Sequence, residues 1–316
     1  MRLPVLALLL ATSAAPALAE NLTLLSMNMW GAGANDSKTI DETVAVMKAS
    51  GADIIAAIET VPEPDPCGAG IQNCQAGDAS RAKDLAAALG YYYHEFKHNS
   101  DVHWADMILS KYPFGAETPS GAGVEIDVKG RKVVAYAMNL NDAPDQPYQL
   151  LNIEYGDFPY LKTAEEAVKA ASDTRGPGLA EVLADLAAEN DAAAQFVMGD
   201  FNEPSNLDWT AKAVAAGLQP MVVAWPFAKG LADAGLTDSF RAMYPGEVAK
   251  HGITWTPTTE ANDPDDHHDR IDFIFVGGAG AKVLSAGIVG EKSPEADLVV
   301  TPWPTDHRAT FARVTF

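Results

Sequence analysis

A layered α/β protein with mixed sheets is predicted by three observations: apolar runs of strand length alternate with amphipathic helical segments, hairpins are mixed with helical crossovers, and several strands end in a carboxylate or an amide. Leu22 to Asn28 reads as a strand, and Asp53 to Glu59 as a nearly continuous apolar strand closed by an acid. Between them Ile40, Val44 and Met47 mark one face of a helix that starts at a Thr39-x-x-Glu42 capping box and stops at Gly51. A second helix carries Leu85 and Leu89 and stops at Gly90. Strands follow at 91–96, 105–109, 124–128 and 131–139, the last two divided by the turn residue Gly130. A helical region from Thr163 to Glu189 opens with a second box, Thr163-x-x-Glu166, and is expected to break at Gly176-Pro177-Gly178. Further strands are expected at 194–198, 270–276 and 309–315, and helices at 207–216 and 237–243.

The amino terminus has a different character. Arg2, the apolar run Val5 to Ala11 and the small-residue ending Ala17-Leu18-Ala19 form the three parts of a secretory signal, so residues 1–19 are expected to be removed and residues 20–316 to form a single domain. No later run is long and apolar enough to span a bilayer. A soluble protein of the periplasm or extracellular space, and a monomer, is the expectation. Cys67 and Cys74, the only cysteines, lie close together in a loop-like stretch; in an oxidising compartment they are expected to form a disulfide worth roughly 2 to 3 kcal/mol. The alternative, two thiols as metal ligands, lacks a nearby histidine or second cysteine pair.

Net charge is −21, which leaves no basic footprint for a nucleic-acid backbone or an anionic lipid surface. Nucleic acid is therefore a disfavoured partner, though local metal sites would still allow it.

Chemistry is concentrated in three segments. Phe196 to Pro204 is a strand that breaks at Gly199 and presents Asp200 and Asn202 side by side, a pattern that an ordinary turn also shows. Asp272 is flanked by large apolar side chains in Arg270-Ile271-Asp272-Phe273-Ile274-Phe275, so it must be paired or directed at a site; an orienting bond to a histidine fits better than a pair with Arg270. Asp306-His307 precedes the final strand.

In the order Asn28, Glu59, Asp200-x-Asn202, Asp272, Asp306-His307, together with Leu25 to Gly31, Ile108 to Pro113 and Gly252 to Pro257, the chain resembles the endonuclease/exonuclease/phosphatase superfamily over nearly its whole mature length. The resemblance implies two packed mixed β-sheets flanked by helices, a four-layer α/β/β/α sandwich, with the site at one edge. It implies a metal-dependent hydrolase of phosphodiesters or phosphomonoesters, with Glu59 as main metal carboxylate and Asn28 and Asp306 assisting. It further implies Asp200 to orient water, Asn202 to hold a phosphate oxygen, and His307, oriented by Asp272, to contact phosphate or shuttle a proton. A dication must offset the repulsion between a phosphate anion and hydroxide, and few oxygen ligands suit Mg2+, with Mn2+ a substitute.

One position departs from the pattern. Asn139 stands where many members carry a histidine, and an amide donates a hydrogen bond but no proton. That leaves open a secreted nuclease of DNA or RNA and a phosphate-binding protein with weakened turnover. His94, His98 and His103 are expected to be structural or surface residues, Arg175 to lie on a helix surface, and Asp263 to Asp269 to form a solvated loop.

Overall fold

The structure, a computed structural model, describes residues 19–62, 80–96 and 100–316. Residues 1–18, most of the expected signal, and Cys67, Cys74 and His98 lie outside the described residues. The chain runs β1 (Asn21–Asn28), α1 (Ile40–Ser50), β2 (Ile54–Ile58), α2 (Ala82–Leu89), β3 (Tyr92–Glu95), β4 (Met107–Ser110), β5 (Phe114–Glu117), β6 (Gly123–Val128) and β7 (Arg131–Asn139). It continues through α3 (Gln146–Leu151), α4 (Ala164–Ala188), β8 (Ala194–Asp200), α5 (Ala211–Ala215), α6 (Pro226–Asp233), β9 (Thr237–Asp238) and α7 (Ser239–Met243). The last strands are β10 (Asp272–Gly277), β11 (Lys282–Gly290), β12 (Leu298–Val299) and β13 (Ala309–Thr315).

These strands form a seven-stranded sheet, ordered β12-β11-β13-β1-β2-β4-β3, and a six-stranded sheet, ordered β5-β6-β7-β8-β10-β9. The parity of each strand divides its side chains between layers. Leu22 and Leu24 of β1, Ile54, Ala56 and Ile58 of β2, Val133 and Ala135 of β7, Phe196 and Met198 of β8 and Ile274 of β10 meet in one core between the sheets. Leu25 and Met27, one residue out of phase, face outward with Val44 and Met47 of α1 and Leu85 of α2. On the other sheet Val134, Tyr136, Val197, Phe273 and Phe275 face Val182 of α4 and Phe227 and Leu231 of α6. Strands buried on both faces read as continuous apolar runs, which is why the sequence shows them so clearly. This is the layered sandwich that the resemblance implied.

Register then fixes where the strand ends fall. In the first sheet β1 runs parallel to β2, with Asn28 beside Ile58, and antiparallel to β13, with Ser26 beside Thr310. In the second sheet β7 is parallel to β8, with Asn139 beside Asp200, and β8 is antiparallel to β10, with Asp200 beside Asp272. Strand ends and strand starts thus collect at one edge. Gly199, at φ 143°, is required there: a Cβ would lie 2.0 Å from the Met138 carbonyl oxygen.

Three sequence expectations are corrected. Helix α4 continues through Pro177, whose residue and whose would-be partner Asp173 are both exposed, so water can satisfy the freed carbonyl. Arg175 is buried, not on a helix surface, because α4 turns it inward to donate to Gln146 Oε1. The Asp263 to Asp269 loop is not simply solvated: Asp269 is buried and accepts from Trp209 Nε1 at 3.0 Å and Gln219 Nε2 at 2.9 Å. The strands β5 and β11 have no counterpart in the sequence reading, since Lys282, Ser285 and Gly287 break the apolar pattern of β11.

Candidate active site

Seven of the sequence-derived residues meet at the shared edge. Asn28, at the end of β1, turns its amide nitrogen to Glu59 Oε1 at 2.8 Å and Asp200 Oδ2 at 3.1 Å, with His307 Nε2 at 3.5 Å. Its amide oxygen accepts the Trp30 N–H at 3.0 Å, so Asn28 meets the carboxylates as a donor. His307 Nδ1 lies 2.9 Å from Asp272 Oδ2, and its Nε2 lies 3.6 Å from Asp200 Oδ2. Asp200 Oδ1 accepts the Asn202 N–H at 2.9 Å, while Asn202 Nδ2 is taken by the Leu140 carbonyl at 2.8 Å. Asp306 is linked to the group through Thr305, whose Oγ1 lies 3.2 Å from Asp306 Oδ1 and donates to the Asn28 carbonyl at 3.0 Å.

Backbone conformation contributes to the convergence. Glu59 and Asn202 sit at φ 59° and 46°, left-handed values that cost energy for residues with a Cβ and recur at functional sites. Glu59 N–H points at Asp106 Oδ1, 3.5 Å away, and Asp106 Oδ2 accepts the Trp104 N–H at 3.0 Å. Sequence reasoning passed over Asp106, a lone acid before β4, because only its complete burial reveals that it supports the Glu59 turn. Asn139 does not join the carboxylates: its Nδ2 donates to the Trp104 carbonyl at 3.2 Å and its N–H to Val102 at 2.9 Å, clamping that segment. His103 is buried and stacks on Phe96 at 4.3 Å, with Nδ1 3.4 Å from Asp106 Oδ2, and His94 meets the same ring edge-on at 4.9 Å.

Electrostatics here are dominated by lost water. Burial pushes the Glu59 carboxyl up to about 8, helped by Asp306 and Asp200 and opposed by His307 and Asn28. Burial likewise raises Asp200, with Asp272 adding and His307 opposing. For His307 burial acts downward, yet Asp272, Asp200 and Asp306 hold it well above its ordinary value, which favours the protonated ring. Four acidic side chains therefore face one imidazole ring, and among the described residues no lysine or arginine pairs with them. Asp272 Oδ1 is buried without a hydrogen-bond partner, and Asp200, Asp272 and His307 offer ligand atoms within 4.8 Å of one another. The carboxyl oxygens of this group fit a divalent cation, which would offset their negative charge once they ionise, whereas a protonated His307 ring has no lone pair to offer it.

The group opens into a cavity of about 900 Å3 that reaches past Asn139 and Trp255 to Tyr148 and Tyr155. The profile of the Endonuclease/Exonuclease/phosphatase family matches residues 25–307. The chain belongs to that family. An uncharacterized Caenorhabditis elegans protein, F14F9.5, is 24% identical over 314 residues, covering 94% of this chain and 92% of its own. Among solved structures the fold is shared with the 3' phosphatase NExo from Neisseria, at 15% identity and a TM-score of 0.55, covering 92% of this chain and 98% of that one. It is also shared with TDP2 from C. elegans, at 16% identity and a TM-score of 0.52, covering 94% and 75%. Members of this family hydrolyse phosphodiester or phosphomonoester bonds, and this chain is a family hydrolase acting on ester bonds.

Proposed function

We propose that the chain is an exported, Mg2+-dependent phosphoesterase in which water attacks phosphorus directly. The observation that carries this reading is the buried network from Glu59 through Asn28 and Asp200 to His307 and Asp272. Glu59 and Asp306 are the oxygen donors that would hold the ion, with Mn2+ a workable substitute. An ion held there would neutralise phosphate charge and polarise the P–O bond. Asp200, its Oδ1 fixed by the Asn202 N–H, accepts a proton from the attacking water. His307, held cationic by Asp272, donates to a non-bridging phosphate oxygen and stabilises the charge that builds up there. The water oxygen bonds to phosphorus, the P–O bond to the alcohol breaks, and the alcohol leaves with a proton from solvent. Purified mature chain should release p-nitrophenol from a p-nitrophenyl phosphate ester with Mg2+ and stop on chelation; turnover indifferent to the chelator would end the reading.

Export rests on the Arg2, Val5 to Ala11 and Ala17 to Ala19 pattern, and a mature chain beginning at Glu20 is the expected result of amino-terminal sequencing. A nuclease reading is favoured by NExo, whose solved complex holds a product DNA hairpin, and opposed by the −21 net charge. Plasmid digestion at low salt would favour it.

Asn139 supplies no proton, so leaving-group basicity should control the rate. Asn139→His is expected to speed alkyl esters by about 10-fold or more while changing aryl esters little. Equal changes for both would show that residue 139 stays out of the leaving-group step.

A further inference from the structure

The cavity extends well beyond the phosphate centre, and its far part has a consistent chemistry. Asp101, Glu117, Asp142, Asp145, Glu181 and Asp269 line it, and among the described residues no lysine or arginine does. Arg175 lies behind this wall, engaged by Gln146 and the Pro144 carbonyl, and does not reach the cavity. His267, which does line it, is kept neutral because burial pushes it down to about 4.

An aromatic strip leads from the phosphate centre into this region. The Trp255 ring lies 4.8 Å from the His307 ring, and Trp255 Nε1 donates to Tyr148 Oη at 3.2 Å. The Tyr148 ring meets the Tyr155 ring edge-on at 5.7 Å, and Tyr155 Oη donates to Asp142 Oδ2 at 2.6 Å. Beside the strip, Asp269 is 3% exposed and paired with the Trp255 backbone. Its Oδ1 is occupied by Trp209 and Gln219, but its Oδ2 has no hydrogen-bond partner. His267 Nε2, 3.5 Å from that oxygen, is committed to Gln219 Oε1 at 2.9 Å. A buried carboxyl oxygen left unpartnered on a cavity wall is costly unless a ligand completes it, and a cation bound beside it would favour its ionised form.

We propose that this cavity takes phosphate esters of an alcohol bearing a positive charge, with the phosphate at Asp200 and His307 and an ammonium group against Tyr148 and Tyr155, beside Asp142 and Asp269. The inference rests on the phosphoesterase reading above and adds the substrate class. Aromatic faces and carboxylates together attract an ammonium ion, whereas a second phosphate would meet repulsion from every side.

A matched pair of p-nitrophenyl diesters tests it: p-nitrophenyl phosphorylcholine, and the neutral isostere in which a tert-butyl group replaces trimethylammonium. With Mg2+ the cationic ester is expected to have a kcat/KM about 10-fold or more above the isostere, mainly through KM. Asp142→Asn and Tyr155→Leu should each lower that ratio several-fold, and because Asp142 is exposed its replacement leaves the fold intact. Glycerophosphocholine in solution and phosphatidylcholine vesicles distinguish a soluble ester from a lipid headgroup; turnover of either supports the proposal. Equal kcat/KM for the diester pair overturns the proposal while leaving the phosphoesterase reading in place. Absence of turnover for both, with Mg2+ and with Mn2+, overturns the two together.

Discussion

Asp200→Asn is expected to lower kcat for an aryl phosphate ester by about 10^3-fold, with KM changed far less. The substitution keeps volume and still allows the Asn202 N–H contact, 2.9 Å in the native site, so the loop after β8 should hold its shape. What it removes is chemical. An amide cannot take the proton of an attacking water, and the negative charge that faces His307 Nε2 at 3.6 Å disappears. Asn28, whose amide nitrogen spans Glu59 and Asp200, would meet a neutral partner on one side, which weakens the alignment of Glu59. A fall in kcat with KM nearly constant marks a group whose work is confined to the transition state. A variant that retained more than a tenth of native kcat would remove Asp200 from the proton-transfer role and with it the water-attack scheme.

The ease of reading this fold varies with how much of each segment's fate is local. Strands β1, β2, β7, β8 and β10 are buried on both faces, so their apolar runs are continuous, and the polar residues at their ends stand out as the exceptions they are. That is why Asn28, Glu59, Asn139, Asp200 and Asp272 could be singled out from the chain alone. Asp106 could not: its place under the Glu59 turn depends on β4 pairing beside β2, a contact between segments about fifty residues apart. The acidic tracts containing Asp145 and Asp269 have the composition of solvated turns, and they become cavity walls only because Tyr148 and Trp255 fold over them, Tyr148 bonding Asp266 and Trp255 pairing with Asp269. Gly176-Pro177-Gly178 misleads for the converse reason. The local penalty of proline is real, but Gly178 packs so tightly against Asp101, where a Cβ would lie 2.7 Å from the carbonyl oxygen, that tertiary contact holds the helix through it.

Metal-free protein should lose thermal stability as pH rises from 5 to 8, by roughly 5 °C or more, and added Mg2+ should restore more of it at pH 8 than at pH 5. The direction follows from the raised carboxyls. Burial places Glu59 at about 8 against an ordinary 4.5, and it raises Asp200 and Asp306 as well. Asp269, pushed up to about 8, and Asp145, pushed up to about 7, add to the same trend in the outer cavity. For an acid whose folded value lies above its unfolded one, the stability contribution is complete below the unfolded value and is lost as pH climbs through the folded one. His307 acts with the same sign, because its raised value means that the folded state holds its proton more tightly than the unfolded chain does. A divalent ion beside Glu59 and Asp200 favours their charged forms, so binding must expel protons and must tighten as pH rises. Glu59→Gln should reduce the pH dependence of the metal-free melting temperature and weaken the response to Mg2+ together, since that carboxyl contributes to both. A melting temperature that stayed level or rose between pH 5 and pH 8, or an Mg2+ shift of equal size at both, would mean that burial does not hold these carboxyls protonated in the metal-free fold, and the coupling of Mg2+ binding to proton release would be lost.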